Sequence, residues 1–293
     1  MEMIDAPPLK WLDLSVAQLM SLERIDDDLF AAQYNHANYD GRLFGGQVLG
    51  QSLAAAMATV EGRAVHSMHG YFLRGGDSTR RICFVVDRVR DGRRFSTRRV
   101  TAIQHRKPIF VMSSSFFEPQ HGYAHQEEMP PAPAPETLLN LAQLSETLGI
   151  PQAKMLEAQA VLYPMEVRPV DPGVFLARTA KARLRYWVRV PGAAAWDDPR
   201  VHQQILAYLS DYWLAFAALP PHRVPISSPA LEVASLDHAI WFHRPVRADE
   251  WLLYDVDSPS ALNGVNLARG LLFKRDGTLV ASTAQEALQV PHD

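Results

Sequence analysis

Hydrophobic and polar residues alternate over much of the chain, with the period of two that is typical of half-buried β-strands. Strand patterns are predicted at 29–34, 64–73, 81–90, 95–104 and 109–117 in the first half, and at 183–190, 231–243, 250–257, 266–274 and 278–288 in the second. Two other segments, 47–60 and about 199–219, carry the longer period of helices. The order strand, helix, four strands therefore occurs twice.

Short residue strings recur between the two halves. His69–Arg74 resembles His238–Arg244, and Gly46–Gly50 resembles Gln203–Ala207. Such echoes, at offsets of about 157–170 residues, predict a tandem duplication of a single domain. One helix with a run of antiparallel strands predicts the α+β class, in which each sheet wraps its own apolar helix and leaves its other face available for pairing.

A proline-rich stretch divides the two halves. Residues 130–136 read PPAPAPE, and proline removes backbone donors and interrupts both helix and sheet. A moderately helical pattern follows over 137–160. We therefore predict an N-terminal repeat at 1–129, a linker with a helical segment at 130–165 and a C-terminal repeat at 166–293. The Asp-Gly pairs at 91–92 and 276–277 predict tight hairpins in which glycine takes a positive φ.

Composition and charge exclude several classes of protein. The chain has 293 residues and a net charge of −3, so it is not a polycation, and no nucleic-acid partner is expected. Its single cysteine, Cys83, excludes an intramolecular disulfide and reads as buried filler. Neither a secretory signal nor an apolar stretch long enough to span a membrane is visible, which predicts a cytoplasmic protein. His66 and His69, three apart on a strand, are predicted to face opposite sides, and neither metal nor cofactor is expected.

Seven strings go beyond general patterning. They are FGGQVLGQ (44–51), HSMHGYFLRGGD (66–77), FSTRRVTAIQ (95–104), MPPAPAP (129–135), RVHQQILAYLSD (200–211), LDHAIWFHRP (236–245) and ASTAQE (281–286). Together they resemble the acyl-CoA thioesterase II family over about residues 20–290. The resemblance implies a tandem (double) hotdog fold, with two antiparallel sheets each wrapped around one central helix. It also implies hydrolysis of medium- to long-chain acyl-CoA by water, without a covalent acyl-enzyme.

The resemblance assigns the catalytic roles to Asp211, Ser235 and Gln285. Read from the residues alone, each position keeps a plainer alternative. Asp211 lies among small residues of a predicted helix and is either partly buried with a partner or a solvated helix residue. Gln285 points to the more apolar side of its strand, where spacing alone favours a structural glutamine with its hydrogen bonds satisfied. Ser235 alone would read as a turn or cap residue.

The predicted reaction also needs donors for the thioester oxygen. Gly45 and Gly46 lie where the first helix begins and offer unhindered N–H groups at the positive end of its dipole, so we predict an oxyanion site there, with Gly46 preferred. His69 is added as a substrate-binding residue, although its recurrence as His238 also suits a structural role. The first repeat has Ala54 opposite Asp211, which predicts one active constellation per chain.

The sequence leaves other interpretations to compare with this one. Ser52 in Gly50-Gln-Ser-Leu-Ala resembles an incomplete nucleophile elbow, but it lies inside a helix pattern and is rejected. A hotdog enoyl-CoA hydratase would carry His five residues after Asp211, where this chain has Phe216. A non-catalytic acyl-CoA-binding module is the third possibility. Residues 74–107 carry a local charge of +8, which suits either CoA phosphates or a solvated sheet face. By analogy a homodimer or homotetramer is expected.

Overall fold

The computed structural model describes residues 9–10, 15–38, 41–148, 164–176, 181–226, 228 and 231–291. Its α-helices are α1 (Val16–Met20), α2 (Gly45–Met57), α3 (Leu141–Leu148) and α4 (Pro199–Ser210). Its strands are β1 (Leu9–Lys10), β2 (Leu22–Asp26), β3 (Leu29–Ala32), β4 (Tyr34–Asn35), β5 (Ala64–Phe72), β6 (Cys83–Asp91), β7 (Phe95–Gln104), β8 (Lys107–Phe117), β9 (Glu166–Pro169), β10 (Arg183–Arg189), β11 (Leu231–Ser235), β12 (Asp237–Phe242), β13 (Leu252–Leu262), β14 (Val265–Lys274) and β15 (Leu279–Pro291). Within these ranges, no helix is long and apolar enough to cross a membrane.

The described residues form two compact units. The first unit takes residues up to Ala124 together with Ala195–Tyr212 and Asp237–Val246. The second unit takes those within His125–Ala194, Trp213–Leu236 and from Arg247 onward. Each unit thus draws on separate stretches of chain, whereas the predicted repeats 1–129 and 166–293 follow the order of the sequence. The repeat boundaries stay a prediction.

The first unit is an antiparallel sheet packed on α2. Its strand order is β2-β3-β6-β7-β8-β5-β12. The helix α2 packs on the sheet, and almost all of its side chains are buried. A second helix, α4, runs antiparallel to α2, because Arg200 in its first turn donates to the carbonyls of Met57 and Val60 past the end of α2. This arginine satisfies carbonyls that a helix leaves unpaired at its C-terminus.

The second unit is an antiparallel sheet in the order β15-β14-β13-β10-β9, with β11 on the other side of β15. One face packs against a 3₁₀-helix at Leu214–Ala218. On the opposite face, Trp187, Trp251 and Phe273 form a buried cluster against Met129 and Ala132. Successive side chains of a strand point to opposite faces, which gives the sheet two apolar sides to cover.

The proline-rich segment is part of this second unit. The indole Nε1 of Trp187 donates to the carbonyl of Pro133 at 2.8 Å, and Nη1 of Arg185 donates to that of Pro131 at 2.9 Å. Prolines lack N–H groups but keep their carbonyl acceptors, so an extended proline run can accept bonds from a neighbouring strand. The segment predicted as a bare connector therefore covers one face of the sheet.

Most predicted elements are confirmed, and the differences have local causes. The strand predicted over 231–243 is divided into β11 and β12. The helix predicted to about 219 ends at Ser210, because Trp213 takes a left-handed conformation with φ of 59° and a 3₁₀-turn follows. Of the helical pattern at 137–160, Leu141–Leu148 is helical, and 149–160 lies outside the described residues.

The hairpin predictions were half right. Gly277 has a φ of 86°, as expected of an Asp-Gly turn, whereas Gly92 does not have a positive φ. Positive φ angles occur in the next hairpin, between β7 and β8, where His105 and Arg106 have φ of 49° and 60°.

The prediction that His66 and His69 face opposite sides was wrong. A β-bulge between Val65 and Ser67 interrupts the alternation of β5. His66 therefore lies beside Ser115 with its Nε2 at 2.8 Å from the hydroxyl, on the same face as Ser113, which pairs with His69. Burial lowers the pKa of His66, and the nearby His69 lowers it further. The described residues nonetheless contain no group of three or more His, Cys, Asp or Glu that could hold a metal ion.

Candidate active site

The carboxylate of Asp211 lies against the first residue of α2. A Cβ atom added to Gly45 would be 2.6 Å from Oδ2 of Asp211 and 3.2 Å from the ring of Phe72. Phe44 caps this helix without a side-chain acceptor. The first N–H groups of a helix have no partner inside it, and the helix dipole favours negative charge at this end. The start of α2 thus holds a half-buried carboxylate beside the first backbone N–H groups of the helix.

Gly46 has a packing role that the sequence did not reveal. A Cβ there would lie 2.2 Å from the carbonyl oxygen of Tyr208 in α4 and 2.5 Å from the ring of Phe44. One turn later, a Cβ on Gly50 would lie 2.9 Å from the carbonyl of Gln204. The two glycines, four apart on one face, let the backbones of α2 and α4 touch. The oxyanion role of Gly46 stays a prediction. This packing explains why the residue has no side chain, and it leaves the role of the backbone N–H open to a separate test.

Asp211 follows the last residue of α4 and serves as its C-cap. The prediction that Asp211 lies among small residues inside a helix was wrong, because the α-helix ends at Ser210 and the chain resumes as a 3₁₀-turn. An aspartate at a helix C-terminus opposes the dipole of its own helix. Here its carboxylate lies at the opposite, positive end of α2, which offsets that cost.

Ser235 and Gln285 are brought together in the second unit. β11 and β15 pair antiparallel with Ser235 opposite Ala287, so Gln285 is its diagonal neighbour on the same face. Nε2 of Gln285 donates to Oγ of Ser235 at 2.9 Å. Gln285 is 1% exposed and Ser235 is half-buried. Since the hydroxyl accepts this bond with a lone pair, its own proton is directed to another acceptor.

A histidine fixes the turn before Asp211. His238 on β12 is buried, and its Nε2 lies 2.9 Å from Oγ of Ser210. The same hydroxyl donates to the carbonyl of Ala207 at 2.9 Å, so the imidazole must be the donor. Ser210 is the residue immediately before Asp211. The recurrence of this histidine between the two halves of the chain is the only feature of the sequence that points to a structural role for His238.

A buried polar network fixes the segment that leads into α2. Nε2 of Gln47 donates to the carbonyl of Tyr34 and to Oδ1 of Asn35, both at 3.1 Å. Nδ1 of His36 and the hydroxyl of Tyr208 are 3.0 Å apart. Burial lowers the pKa of His36 to about 3, so this imidazole is neutral at pH 7. These side chains hold the approach to Gly45 in one conformation.

His69 lies apart from the start of α2. Phe72, whose ring contacts the Gly45 position, is three residues along β5, and His69 projects from the other face, where its ring meets Trp241 edge-on. Burial lowers the pKa of His69, and Asp237 partly offsets the effect. We therefore leave His69 out of the proposed site. Ser52 is fully buried inside α2, and its hydroxyl has no hydrogen-bond partner among the described residues, so no base activates it.

Comparison with known proteins shows the family to which the chain is similar. A family model described as acyl-CoA thioesterase matches residues 155–288, and one described as the acyl-CoA thioesterase N-terminal domain matches residues 35–117. Acyl-coenzyme A thioesterase 8 of Homo sapiens is 37% identical, over 96% of this chain and 91% of its own. Acyl-CoA thioesterase 2 of Haemophilus influenzae is also 37% identical, over 94% and 96%.

Solved structures show the same likeness. Acyl-CoA thioesterase II TesB2 from Mycobacterium marinum is 38% identical and superposes with a TM-score of 0.78, covering 94% of this chain and 98% of that one. A hotdog-fold protein from Alicyclobacillus acidocaldarius, at 18% identity and a TM-score of 0.73, shares the fold. The fold is thus that of the hotdog thioesterases, α+β as predicted, and the enzyme class is that of thioester hydrolases. The chain belongs to the acyl-CoA thioesterase II family.

Proposed function

We propose that the protein hydrolyses medium- to long-chain fatty acyl-CoA to free fatty acid and CoA, using one water that Asp211, Ser235 and Gln285 act on together. Membership of the family and the names of its relatives support the acyl-CoA substrate. The hydrogen bond from Gln285 to Ser235 is the observation that carries the water site, because two of the three residues predicted from the sequence meet at 2.9 Å.

The chemistry requires a base and an oxyanion site. Asp211 accepts a proton from the water, whose oxygen then bonds to the thioester carbon; a positioned base of this kind contributes about 10²–10⁴-fold. Ser235 and Gln285 orient that water. The carbonyl oxygen gains negative charge in the tetrahedral intermediate and is stabilised by N–H groups of Gly45 and Gly46 at the start of α2.

The intermediate then collapses by breaking the carbon–sulfur bond. The electron pair leaves with sulfur as the CoA thiolate, which is a competent leaving group and takes up the proton held by Asp211. The products are a carboxylic acid and CoA, so atoms and charge balance without a cofactor. No covalent acyl-enzyme is formed in this scheme, which distinguishes it from a serine nucleophile such as the rejected Ser52.

The test is a thiol-release assay on the purified chain after treatment with a chelator. A panel of saturated acyl-CoA from butanoyl to octadecanoyl measures kcat/KM at each length. We expect release of CoA that peaks at medium or long chains and survives chelation. Absence of release at every length would refute the proposal, and dependence on added metal would refute its mechanism. Rapid quench that traps an acyl-enzyme would have the same consequence.

Assembly and compartment belong to the same proposal. We propose a homodimer or homotetramer and a cytoplasmic location. The outer face of the first sheet carries exposed Tyr71, Phe95 and Trp241, at 61%, 44% and 36% exposure. Apolar side chains grouped on one face are typical of association surfaces. Light scattering coupled to size-exclusion chromatography measures the mass and distinguishes a monomer from either oligomer.

A further inference from the structure

Four cations gather around the turn between β7 and β8. Arg106 lies in that turn, Lys107 is the first residue of β8, and Nη1 of Arg74 donates to the carbonyl of Pro108 at 2.6 Å. The carbonyl of Arg80 accepts from Nε2 of Gln104 at 2.7 Å. All four side chains are exposed. We call Arg74, Arg80, Arg106 and Lys107 the basic rim.

The backbone beneath the basic rim is held by buried amides. Oε1 of Gln104 accepts from the N–H of Asp77, while its Nε2 donates to the carbonyl of the same residue, both at 2.8 Å. Nδ2 of Asn35 donates to the carbonyls of Ser78 and Arg80. Gln104 and Asn35 are 4% and 5% exposed. The charges therefore project from a fixed frame and not from a loose loop.

The carboxylate of Asp77, beside the basic rim, is bonded to its own neighbours and not to the four cations of the rim. Oδ1 of Asp77 accepts from the N–H and the hydroxyl of Thr79 at 2.8 and 2.6 Å, and Oδ2 lies 3.3 Å from Nε2 of His105. The two bonds from Thr79 are the main reason that the pKa of Asp77 is lowered. Its carboxylate is thus occupied locally, and the positive charge of the basic rim faces solvent.

The turn itself is strained. His105 and Arg106 both have positive φ, a pair of angles that two-residue hairpins normally assign to Asn-Gly or Asp-Gly. For residues with a Cβ, each left-handed position costs about 1–2 kcal/mol. Such strain is concentrated at ligand sites, where it persists because the surroundings impose it. In this protein the strained turn places Arg106 and Lys107 next to each other at the tip of the hairpin.

The basic rim adjoins the start of α2. The N–H of Leu43, two residues before Gly45, donates to the carbonyl of Gly76 at 3.1 Å. The ring of Phe72 contacts the Gly45 position, and Arg74 follows two residues later. Two residues span at most about 7 Å of chain. Arg74, the first cation of the basic rim along the chain, therefore lies close to the N–H groups at the start of α2 that are proposed to hold the thioester oxygen.

A second group of exposed arginines lies at the other end of α2 and offers a control. Arg93 and Arg94 are exposed in the turn between β6 and β7. That turn is tied to the end of α2 by Arg98, which donates to Thr59 and to Asp91, both at 2.8 Å. The helix has 13 residues and a rise of about 1.5 Å each, so the two turns are about 20 Å apart along it.

We propose that the basic rim binds the phosphate groups of the CoA moiety, the 3′-phosphate and pyrophosphate at the far end of the pantetheine arm. The proposal rests on the proposed function, since it takes the thioester to lie at Gly45. Arginine guanidinium groups bind phosphate through paired, charge-assisted hydrogen bonds, and lysine adds a point charge. The pantetheine arm, extended from the thioester, carries the phosphates away from Gly45 toward these side chains.

The test compares substrates that share an acyl group. One is an acyl-CoA and the other is the same acyl group on N-acetylcysteamine, which has the thioester but no phosphate. In Arg106→Asn/Lys107→Gln, we expect KM for acyl-CoA to rise about tenfold or more, the effect of one or two lost charge-assisted bonds. Hydrolysis of the N-acetylcysteamine thioester should change by less than about twofold. Arg93→Gln/Arg94→Gln should leave both substrates unaffected.

The substitution at Arg106 separates binding from folding. Asparagine tolerates positive φ better than arginine does, so the variant should unfold at the same or a higher temperature while it binds CoA more weakly. If Arg106 had only a structural role, the substitution would lower both the unfolding temperature and the affinity for CoA. Equal KM changes in the two double variants, or an unchanged KM in Arg106→Asn/Lys107→Gln, would overturn the proposal.

Calorimetric titration with adenosine 3′,5′-bisphosphate separates this proposal from the proposed function. We expect binding by the wild type and a loss of about tenfold or more in affinity in Arg106→Asn/Lys107→Gln. If the wild type binds the bisphosphate at the basic rim but hydrolyses no acyl-CoA, the proposed function fails and the phosphate site stands. If hydrolysis proceeds and the double variant binds the bisphosphate as the wild type does, the phosphate site fails alone.

Discussion

A single added methyl group should have opposite consequences at two adjacent glycines. Gly46→Ala places a Cβ 2.2 Å from the carbonyl oxygen of Tyr208, where ordinary contact begins at 3.4 Å. Because that oxygen belongs to the backbone of α4, it cannot rotate away, and α2 and α4 must separate by about 1 Å. Gly45→Ala places its Cβ 2.6 Å from Oδ2 of Asp211, which is the end of a side chain and can move.

The magnitudes follow from two opposing terms. Alanine is favoured over glycine inside a helix by about 1 kcal/mol. Overpacking costs about 1–3 kcal/mol and more where the neighbour is rigid. For Gly46→Ala we expect a net loss of about 2 kcal/mol or more, which lowers the melting temperature by about 4–8 °C in a protein of this size. For Gly45→Ala the two terms nearly cancel, but the displaced carboxylate should lower kcat about 10²-fold.

The assay is thermal unfolding by calorimetry combined with steady-state thiol release, on both variants in parallel. Gly46→Ala should also lower kcat, because Asp211 follows α4 and moves with it, so the packing argument is tested by the melting temperature of this variant. A melting temperature equal to that of the wild type in Gly46→Ala would refute the packing argument. Full kcat in Gly45→Ala would refute the placement of the reacting carboxylate at the start of α2.

Three further outcomes are expected. Asp211→Asn keeps the shape of the side chain and removes its charge, so kcat should fall about 10²-fold or more at nearly constant KM; an unchanged kcat would exclude this residue as the base. Ser235→Ala and Gln285→Ala should each lower kcat, whereas Ser235→Thr should retain most activity. Because the two side chains share one hydrogen bond, the double alanine variant should lose far less kcat than the product of the two single losses. Strictly multiplicative losses would exclude a shared water. His36 has a folded pKa of about 3 and an unfolded value near 6.5, so the unfolded state binds the proton first and stability falls as the pH drops below about 6.5. Denaturant unfolding at pH 7 and pH 5 should show a loss of about 2 kcal/mol from this group that is missing in His36→Asn, and equal losses in both proteins would contradict it.

The strands and α2 could be predicted from the sequence because their information is local. A period of two in hydrophobicity follows directly from the alternation of side chains, and it located β7 to the residue. The same alternation placed Gln285 on the apolar side of β15, where it is 1% exposed. The family resemblance supplied the choice of Ser235, since a lone serine carries no pattern. Its hydrogen bond to Gln285 then depends on the register of β11 against β15.

Other features depend on contacts between distant segments, and only the tertiary structure decided them. The end of α4 at Ser210 follows from a left-handed residue at Trp213, which no helical pattern predicts. The bulge in β5 that turns His66 to the face of His69 is one unpaired residue, which breaks the alternation that the prediction assumed.

The glycines at the start of α2 show the same division. The sequence shows that these residues lack side chains, and this predicts unhindered backbone N–H donors. The structure gives each a neighbour, the carbonyl of Tyr208 for Gly46 and the carboxylate of Asp211 for Gly45, more than 160 residues away along the chain. Sequence determines which backbone positions lack a Cβ, because that is a property of the residue. Only the packing of α4 on α2 decides what fills the space, because that contact joins residues that no local pattern connects.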